Sequence, residues 1–386
     1  MDFTESPEQQ MLRAAVRDVA ESFGHAYYAE RARSGGHTDE LWDAVAELGF
    51  LGVHLPERYG GGGAGMSELA IVCEELASVG TPLLLILVSP AICAELIKHF
   101  GTDAQKETFL TPMAAGQKMV FAITEPDAGS NSHNIATTAT CDGDVYRLRG
   151  SKTFISGVEE ASQMVVVTRT GTDERTGRGR LSLFVVDTDA PGLERTLIPT
   201  EIAAPERQWT LFFDDVEVPA DRLLGDEGEG LRQVFVGLNP ERIMSASICT
   251  GIGRYALDRA ARYACDREVW GTPIGRHQGI AHTLATAKIE VELARLMTAK
   301  AAWMHDHSDD TVAAGESANM AKYAAAEAGL HALDAAIQTH GGNGLTSEYG
   351  LADLWGMVRL LKIAPVSREM VLNFVASQSL GLPKSY

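Results

Sequence analysis

Residues 120–130 read VFAITEPDAGS, in which a short run rich in β-branched and aromatic residues passes directly into a turn of Pro, Asp and Gly. The same alternation of β-rich run and turn recurs up to about residue 224. The later runs are KTFISG (152–157), QMVVVTRT (163–170), LSLFVVD (181–187) and WTLFFDDVEV (209–218). This pattern predicts a β-domain in the middle of the chain.

Helical patterns flank the β-rich region on both sides. Ser6, Pro7 and Gln9 are the residue types of a helix start with a capping box, and apolar residues follow them at helical spacing. After residue 230 there are three long alanine-rich periodic stretches: 242–269, 279–305 and 316–339. We therefore expect an α+β protein with three parts: an N-terminal helical domain (1–118), a middle β-domain (119–228) and a C-terminal helical bundle (229–386).

The composition is that of an ordinary globular protein with an acidic charge balance. Of the 386 residues, 45% are hydrophobic and 22% are charged, which excludes a disordered chain. The 33 Lys and Arg residues against 52 Asp and Glu residues give a net charge of −19. Nucleic acid and anionic membrane surfaces would repel such a protein, so neither is an expected partner.

Neither the N-terminal segment nor the cysteines indicate an exported protein. The first ten residues, MDFTESPEQQ, are acidic and lack the apolar stretch of a secretory signal. The longest apolar run, 83–88, is far shorter than the roughly 20 residues that span a bilayer. The five cysteines show neither metal-ligand nor disulfide-framework spacing: Cys73, Cys93, Cys141, Cys249 and Cys265. We expect a cytoplasmic protein with reduced, packed thiols and no metal site.

Several short motifs carry only weak functional signals. The glycine run 60–63 is not followed by Gly-Lys-Ser/Thr, so it is expected to be a flexible loop and not a phosphate loop. Gly251, Gly253 and Ala256 match GxGxxA, but no strand precedes them, so close helix packing is the better interpretation. The basic segment 175–180 is expected to be a solvated turn. No GxSxG elbow is present.

Two segments are unlike ordinary loop sequence: FAITEPDAGS (121–130) and GSKTFISG (150–157). Four more segments accompany them: FGTDAQKETFLTPMAAGQ (100–117), FFDDVEVPADRLLG (212–225), REVWGTPIGRHQGIAHTLA (267–285) and IQTHGGNGL (337–345). Together they closely resemble the acyl-CoA dehydrogenase family, in the order in which that family carries them and over nearly the whole chain. The resemblance implies that the middle β-domain is barrel-like.

The resemblance also implies a bound FAD and assigns residues to its ring. In this family a base removes the α-proton of an acyl-CoA thioester while the β-hydrogen leaves as hydride to the flavin N5. Thr124 and Ser156 are then expected at the polar edge of the flavin, and Phe154 against its face. Ser130 matches the position that contacts the CoA arm of the substrate.

A second group resembles the family's site for the adenine dinucleotide end of FAD. Arginine suits a pyrophosphate because its fork donates parallel hydrogen bonds, and adjacent glycines let backbone approach the cofactor. The group is Arg267, Trp270, Gln278, Gln338, Gly341 and Gly342. In the family part of this group comes from a neighbouring subunit, so the resemblance implies an obligate oligomer, usually a tetramer.

The C-terminal region departs from the family's commonest pattern. Many members carry their catalytic glutamate there in a Tyr-Glu-Gly-Thr motif, but Pro365 occupies the corresponding position. Glu369 lies roughly one helical turn further on and cannot simply replace it. A main-chain N–H at this site helps to hold the thioester carbonyl in the family, and proline has no N–H. Either the flavin ribityl hydroxyl acts alone or the N–H of Val366 substitutes.

A different glutamate is therefore the predicted base. Residues 238–242 read LNPER and resemble the Asp/Asn-x-Glu-Arg pattern from which isovaleryl-CoA and long-chain acyl-CoA dehydrogenases supply their base. This places the base at Glu241 and a substrate contact at Arg242. Asn239 and Pro240 predict a helix start, which would put Glu241 in a first turn, where the helix dipole favours a carboxylate. A first-turn charge without a catalytic role is the alternative interpretation.

The resemblance implies an FAD-dependent enzyme that oxidises a saturated acyl-CoA to the trans-2-enoyl-CoA, in fatty-acid or branched-chain acyl-CoA breakdown. It also implies that an electron-transferring flavoprotein accepts the electrons from a homotetramer. Two alternatives stay open: a catalytically silent subunit of a heterotetramer, which the proline at 365 suggests, and a flavin oxidase or monooxygenase on the same fold. The acyl chain is not determined, because an apolar slot discriminates by only about 1 to 3 kcal/mol per methylene.

Overall fold

The N-terminal part of the chain is helical, as expected. The computed structural model describes residues 4–384. The first six helices are α1 (Pro7–Ser34), α2 (Asp39–Glu47), α3 (Met66–Ser78), α4 (Leu85–Val88), α5 (Glu95–Phe100) and α6 (Asp103–Ala114). The predicted capping box begins α1, where the side chains of Ser6 and Gln9 each accept from the other's backbone N–H. A π-helical turn, Ser89–Ala94, joins α4 to α5.

The glycine loop before α3 is tied to the preceding backbone, which corrects the expectation of a flexible loop. Successive N–H groups from Gly61 to Ala64 donate to carbonyl oxygens within residues 52–56. A Cβ on Gly61 would lie 2.2 Å from the carbonyl oxygen of Leu55, far inside van der Waals contact. Glycine is required here because two stretches of backbone touch.

The middle of the chain forms one mixed eight-stranded sheet. Its strands are β1 (Met119–Ala122), β2 (Thr138–Asp142), β3 (Val145–Ser156), β4 (Gln163–Thr172), β5 (Gly179–Asp187), β6 (Leu193–Ile198), β7 (Gln208–Pro219) and β8 (Leu223–Leu224). The order is β6-β7-β3-β2-β4-β5-β8, and β1 pairs in parallel with β4. Met164 and Val166 of β4 pack into one hydrophobic core, whereas Val165 and Val167 pack into another. Both faces of this strand are therefore covered.

The C-terminal part is a helical bundle, which completes the expected α+β arrangement. Its helices are α7 (Gly230–Asp266), α8 (Gln278–His307), α9 (Thr311–His340), α10 (Trp355–Ile363) and α11 (Arg368–Phe374). A hairpin of β9 (Glu268–Val269) and β10 (Thr272–Pro273) connects α7 to α8. Helices α7 and α9 run in the same direction, since Cys249 lies beside Gly329 and Tyr263 lies beside His340.

Small residues let α7 pack closely against its neighbours. A Cβ on Gly251 would lie 2.5 Å from the carbonyl oxygen of Glu74 in α3. A Cβ on Gly253 would lie 2.9 Å from the side chain of Val291 in α8. The GxGxxA segment therefore serves helix packing, as predicted, and not nucleotide binding.

The predicted helix start at Asn239 is wrong. Helix α7 begins at Gly230, so Pro240 and Glu241 lie inside it. The turns before Pro240 are held by tertiary packing, because Gly230 touches backbone of β5 and Gly237 touches Ile92 of the π-helical turn. These contacts outweigh the preference of proline for a first turn. Glu241 is therefore not in the first turn of α7, and the alternative interpretation of Glu241 as a first-turn charge is wrong.

The thiols only partly follow expectation. All five cysteines are free, and three are buried, but Cys141 and Cys265 are exposed. Among residues 4–384, no helix combines the length and the apolar character needed to cross a membrane.

Candidate active site

The carboxylate of Glu241 is the central feature of the site. Its side chain is half-buried, and no group among residues 4–384 donates a hydrogen bond to it. Burial raises its pKa to about 8, although the positive charges of Arg242 and Lys322 oppose that rise. An unpartnered carboxylate whose pKa lies near neutrality is suited to accept a proton from a bound molecule.

Three parts of the fold meet around this carboxylate. Its charge acts on Cys93 in the π-helical turn and on Lys322 in α9. The thiol of Cys93 donates to the carbonyl oxygen of Val120 in β1, 3.3 Å away. Glu241 therefore lies near the junction of the bundle with the first strand of the sheet.

A buried lysine joins α9 to the last turn of α10 and to the connection that follows it. Lys322 is 1% exposed, and its ammonium donates to the carbonyl oxygens of Lys362 at 3.0 Å and Val366 at 2.6 Å. These carbonyls flank Pro365. Sequence reasoning missed Lys322, whose only signal was a lysine in a helical stretch otherwise dominated by small residues, 318–326.

Phe154 is turned out of the sheet by irregular backbone. Its φ is 56°, in the left-handed region, and it lies at the register shift between Lys152 and Ile155 in the pairing of β3 with β7. A bulky residue with this φ is strained, yet its ring is 60% exposed. An exposed, flat aromatic face is compatible with the predicted contact to a planar cofactor.

Thr124 and Ser156 lie beside Phe154. The N–H of Thr153 donates to the carbonyl oxygen of Thr124 at 2.9 Å, which holds the end of β1 against β3. The hydroxyl of Ser156, two residues beyond Phe154, donates to the side-chain oxygen of Gln208 at 3.0 Å. The three residues predicted at the flavin ring are thus brought together.

An ion pair holds the turn that follows Thr124. The ammonium of Lys152 lies 2.8 Å from the Glu125 carboxylate and 3.0 Å from the carbonyl oxygen of Ile123. Ser130, the predicted contact to the CoA arm, is exposed on the same loop. Both members of the pair stand inside the quoted motifs, but sequence reasoning gave them no role, because a buried partner cannot be read from a motif.

The residues predicted for the dinucleotide end of FAD lie at the opposite end of the bundle from Glu241. Arg267 follows the last turn of α7, so at roughly 1.5 Å per residue it is about 39 Å from Glu241 along the helix. Gln338 and Gly341 lie at the same end, because α9 runs parallel to α7. One chain does not bring this group to Glu241.

This distant group forms an open surface. Trp270 and Gly271 have φ of 54° and 74°, as a two-residue type I′ turn requires, and the Trp270 side chain is 89% exposed. Arg267 and Gln278 are also exposed. A Cβ at either Gly341 or Gly342 would meet nothing within 4 Å, so the backbone there is accessible.

Arg242 is enclosed beside Glu241. It is 7% exposed, and its Nη1 donates to the side-chain oxygen of Asn239 at 2.7 Å. Its buried Nε has no partner in the described part of the chain. A spare buried donor is compatible with the predicted contact to a substrate oxygen, which stays a prediction.

A separate polar cluster joins the N-terminal helices to the sheet. His37, Glu159 and Glu160 place possible metal-ligand atoms within 4.8 Å of one another, although sequence spacing gave no sign of it. Lys118 donates to Glu160 at 2.6 Å and to Asp39 at 2.8 Å. A fixed ammonium therefore already compensates part of the negative charge in this cluster.

Three family descriptions match this chain in succession. They are the N-terminal, middle and C-terminal domains of acyl-CoA dehydrogenase, over residues 6–117, 120–216 and 228–380. The chain is 57% identical over 385 residues to the acyl-CoA dehydrogenase FadE12 of Mycobacterium tuberculosis, covering 100% of this chain and 99% of that protein.

Solved structures give the same likeness. Butyryl-CoA dehydrogenase from Megasphaera elsdenii superimposes with a TM-score of 0.92 at 30% identity, over 98% of this chain and 100% of that one. A structure described as the FAD complex of PigA superimposes with a TM-score of 0.91 at 25% identity, over 99% and 100% of the two chains.

Proposed function

Since this chain belongs to the acyl-CoA dehydrogenase family, we propose that it converts a saturated acyl-CoA to the trans-2-enoyl-CoA with Glu241 as the base. The family makes it an FAD-dependent enzyme that dehydrogenates acyl-CoA. The observation that carries the assignment of the base is the Glu241 carboxylate, which is half-buried and accepts no hydrogen bond from the described residues.

Glu241 takes the α-proton in this proposal. Its lone pairs are free, because no described group donates to them, and its pKa of about 8 makes it a stronger base than an exposed glutamate. Most members of the family would be expected to use the position that Pro365 fills here. Proline offers neither a carboxylate nor an N–H.

The residues near β3 fit a flavin. FAD, when bound, supplies the acceptor for the β-hydrogen as hydride. In this proposal the exposed ring of Phe154 shields one face of the flavin from water, and the side chains of Thr124 and Ser156 bind polar atoms at its edge. Their proposed work is to hold and orient the ring.

A second copy of the chain is part of the proposal. Arg267 lies about 39 Å along α7 from Glu241, so its group is available to the cofactor of a neighbouring copy. Large apolar side chains are exposed on α8: Ile289, Leu293, Leu296 and Trp303. A row of this kind is typical of a surface that another subunit covers. These features support association with another copy, and the proposed number of subunits, four, rests on the family resemblance.

The electron acceptor and the metabolic context rest on the family resemblance. We propose an electron-transferring flavoprotein as the acceptor, and fatty-acid or branched-chain acyl-CoA breakdown as the context. A catalytically silent subunit of a heterotetramer is the second candidate, and Pro365 is the observation that favours it.

Anaerobic bleaching of the bound flavin tests the proposal. Purified protein is mixed with isovaleryl-, butanoyl-, octanoyl- and palmitoyl-CoA, and the loss of flavin absorbance is followed. We expect rapid bleaching by at least one thioester, which also ranks the chain lengths. Flavin-bound protein that none of them bleaches would count against dehydrogenation of these chain types. Protein that holds FAD only with a related partner chain would establish the silent subunit instead.

A further inference from the structure

We propose that Lys322 is a positioning residue for the dehydrogenation, which fixes the backbone around Pro365 and sets a positive charge beside Glu241. The inference rests on the proposed role of Glu241 as the base. It assigns a function to a side chain that the family pattern and the sequence motifs left without one.

The first step is the anchoring of the segment 362–366. An ammonium has three N–H donors, and Lys322 uses two of them on the carbonyl oxygens of Lys362 and Val366. Lys362 lies in the last turn of α10, Val366 lies in the connection 364–367 between α10 and α11, and Lys322 lies on a third helix, α9. This buried side chain therefore ties the end of α10 and the connection to α9, in addition to the ion pairs that Lys362 and Arg368 make with Glu327.

The second step concerns the backbone donor that Pro365 cannot supply. The carbonyl oxygen of Val366 is held by Lys322 at 2.6 Å, whereas the N–H of Val366 has no hydrogen-bond partner in the described part of the chain. A free N–H next to the proline can replace the missing donor to a thioester carbonyl. Because Lys322 holds the carbonyl oxygen of Val366, it also helps to fix the position of the Val366 N–H.

The third step is electrostatic. Lys322 and Glu241 interact as charges, but no ion pair within 4.0 Å joins them, so the carboxylate keeps its lone pairs free. A nearby cation favours the ionised form of a carboxylate, and little water screens the interaction. Burial lowers the pKa of Lys322 to about 8, so below about pH 8 its charge keeps a larger fraction of Glu241 in the form that accepts a proton.

The other titratable groups around this pair are few. On α7 they are Arg242 and Cys249, in the π-helical turn Cys93, and on α11 Glu369. Burial raises the pKa of Cys249 to about 12 and raises that of Cys93, so both thiols stay neutral. Glu369 is exposed, where water screens its charge. Arg242 and Lys322 are left as the cations that act on Glu241.

Three variants separate anchoring from charge. Lys322→Met removes both the donors and the charge, and Lys322→Gln removes the charge but keeps an amide donor. Lys362→Met is the matched control, because it also removes a lysine that ties this segment to α9. Its ammonium pairs with Glu327 at 2.8 Å and is not among the charges that act on Glu241.

The readout is the rate of flavin reduction by butanoyl- and octanoyl-CoA between pH 6 and pH 9.5, with FAD content measured for each protein. Removing the cation is expected to move the midpoint of the pH profile upward by about one unit in both Lys322 variants, and to slow reduction at pH 7 about tenfold. Lys322→Met is expected to lose further rate above the midpoint, where anchoring alone matters. Lys362→Met should keep the wild-type midpoint.

The outcomes distinguish this inference from the proposed function. If the flavin of the Glu241→Gln variant is still fully reduced by acyl-CoA, Glu241 is not the base and the proposed function fails at that point. If Glu241→Gln is inert but both Lys322 variants keep the wild-type rate and midpoint, only the role of Lys322 is overturned. If Lys322→Met does not fold, the midpoint of the pH profile of Lys322→Gln tests the inference alone. If neither folds, the inference is overturned, because Lys322 is then a stability residue.

Discussion

The fully buried ammonium of Lys152 lies 2.8 Å from the Glu125 carboxylate and joins the two segments that carry the predicted flavin contacts. Glu125 directly follows Thr124, and Lys152 stands two residues before Phe154. This pair therefore sets the spacing between the hydroxyl and the aromatic ring proposed for the flavin, across a chain separation that no local motif controls.

Lys152→Met should destabilise the fold and weaken flavin binding together. It leaves the buried Glu125 carboxylate without its cation, although the N–H groups of Ala136 and Thr137 still donate to it; removing one partner of a buried ion pair typically costs about 3 to 5 kcal/mol of unfolding free energy. Urea denaturation and the FAD content of the purified protein measure the two effects. The double variant Lys152→Met with Glu125→Gln removes the lone charge and is expected to recover part of the stability. A single variant as stable as wild type would show that the pair is not important.

Flavin reduction should increase with pH through the pKa of the base. Only ionised Glu241 accepts a proton, and burial raises its pKa to about 8, so the rate is low at pH 6 and reaches a plateau above pH 9. Stopped-flow reduction by the best acyl-CoA of the panel gives the profile. A rate that does not change between pH 6 and pH 9 would contradict Glu241 as the base.

Glu241→Gln should change stability in a pH-dependent direction. The folded pKa of about 8 lies above the ordinary value of 4.5, so Glu241 prefers to be protonated in the folded state. Its contribution is fully present below about pH 4.5 and is lost as the pH rises through 8. The variant cannot ionise, so its Tm relative to wild type should rise from pH 5 to pH 9. Equal Tm differences at both pH values would argue against the raised pKa.

Two substitutions of Phe154 should separate backbone strain from cofactor shielding. Phe154→Gly and Phe154→Ala both remove the ring, so both should let oxygen reoxidise the reduced flavin faster than in wild type. The left-handed φ of 56° suits glycine, so the glycine variant of the flavin-free protein should be more stable than the alanine variant by about 1 kcal/mol. If oxygen reoxidises the flavin of both variants no faster than that of the wild type, Phe154 does not shield the flavin.

Gly61→Ala should destabilise the N-terminal helices. The added methyl would lie 2.2 Å from the Leu55 carbonyl oxygen, and forced displacement of packed backbone costs about 1 to 3 kcal/mol or more. Gly171→Ala is the control, because a Cβ there meets nothing within 4 Å. Denaturation midpoints should fall for the first variant and stay near wild type for the second.

Where sequence reasoning failed, it applied a local preference that distant contacts overrode. The pair Asn239 and Pro240 is typical of a helix start, yet α7 runs through it, because its earlier turns pack on β5 and on Ile92. The glycine run 60–63 was expected to be flexible, but its N–H groups bind backbone within 52–56. The contacts that hold α7 and the glycine run cannot be identified from the local residues alone.

The sequence by itself determined the helical, β and helical order of the chain, its family and its FAD chemistry, because runs of apolar residues and ordered motifs are local properties. It also singled out Glu241, since the family's alternative pattern is contained in the four consecutive residues 239–242. Only the tertiary structure decided that Lys322 holds the backbone on both sides of Pro365 and that Lys152 pairs with Glu125. Buried charges need partners, and the fold alone brings those partners from distant parts of the chain.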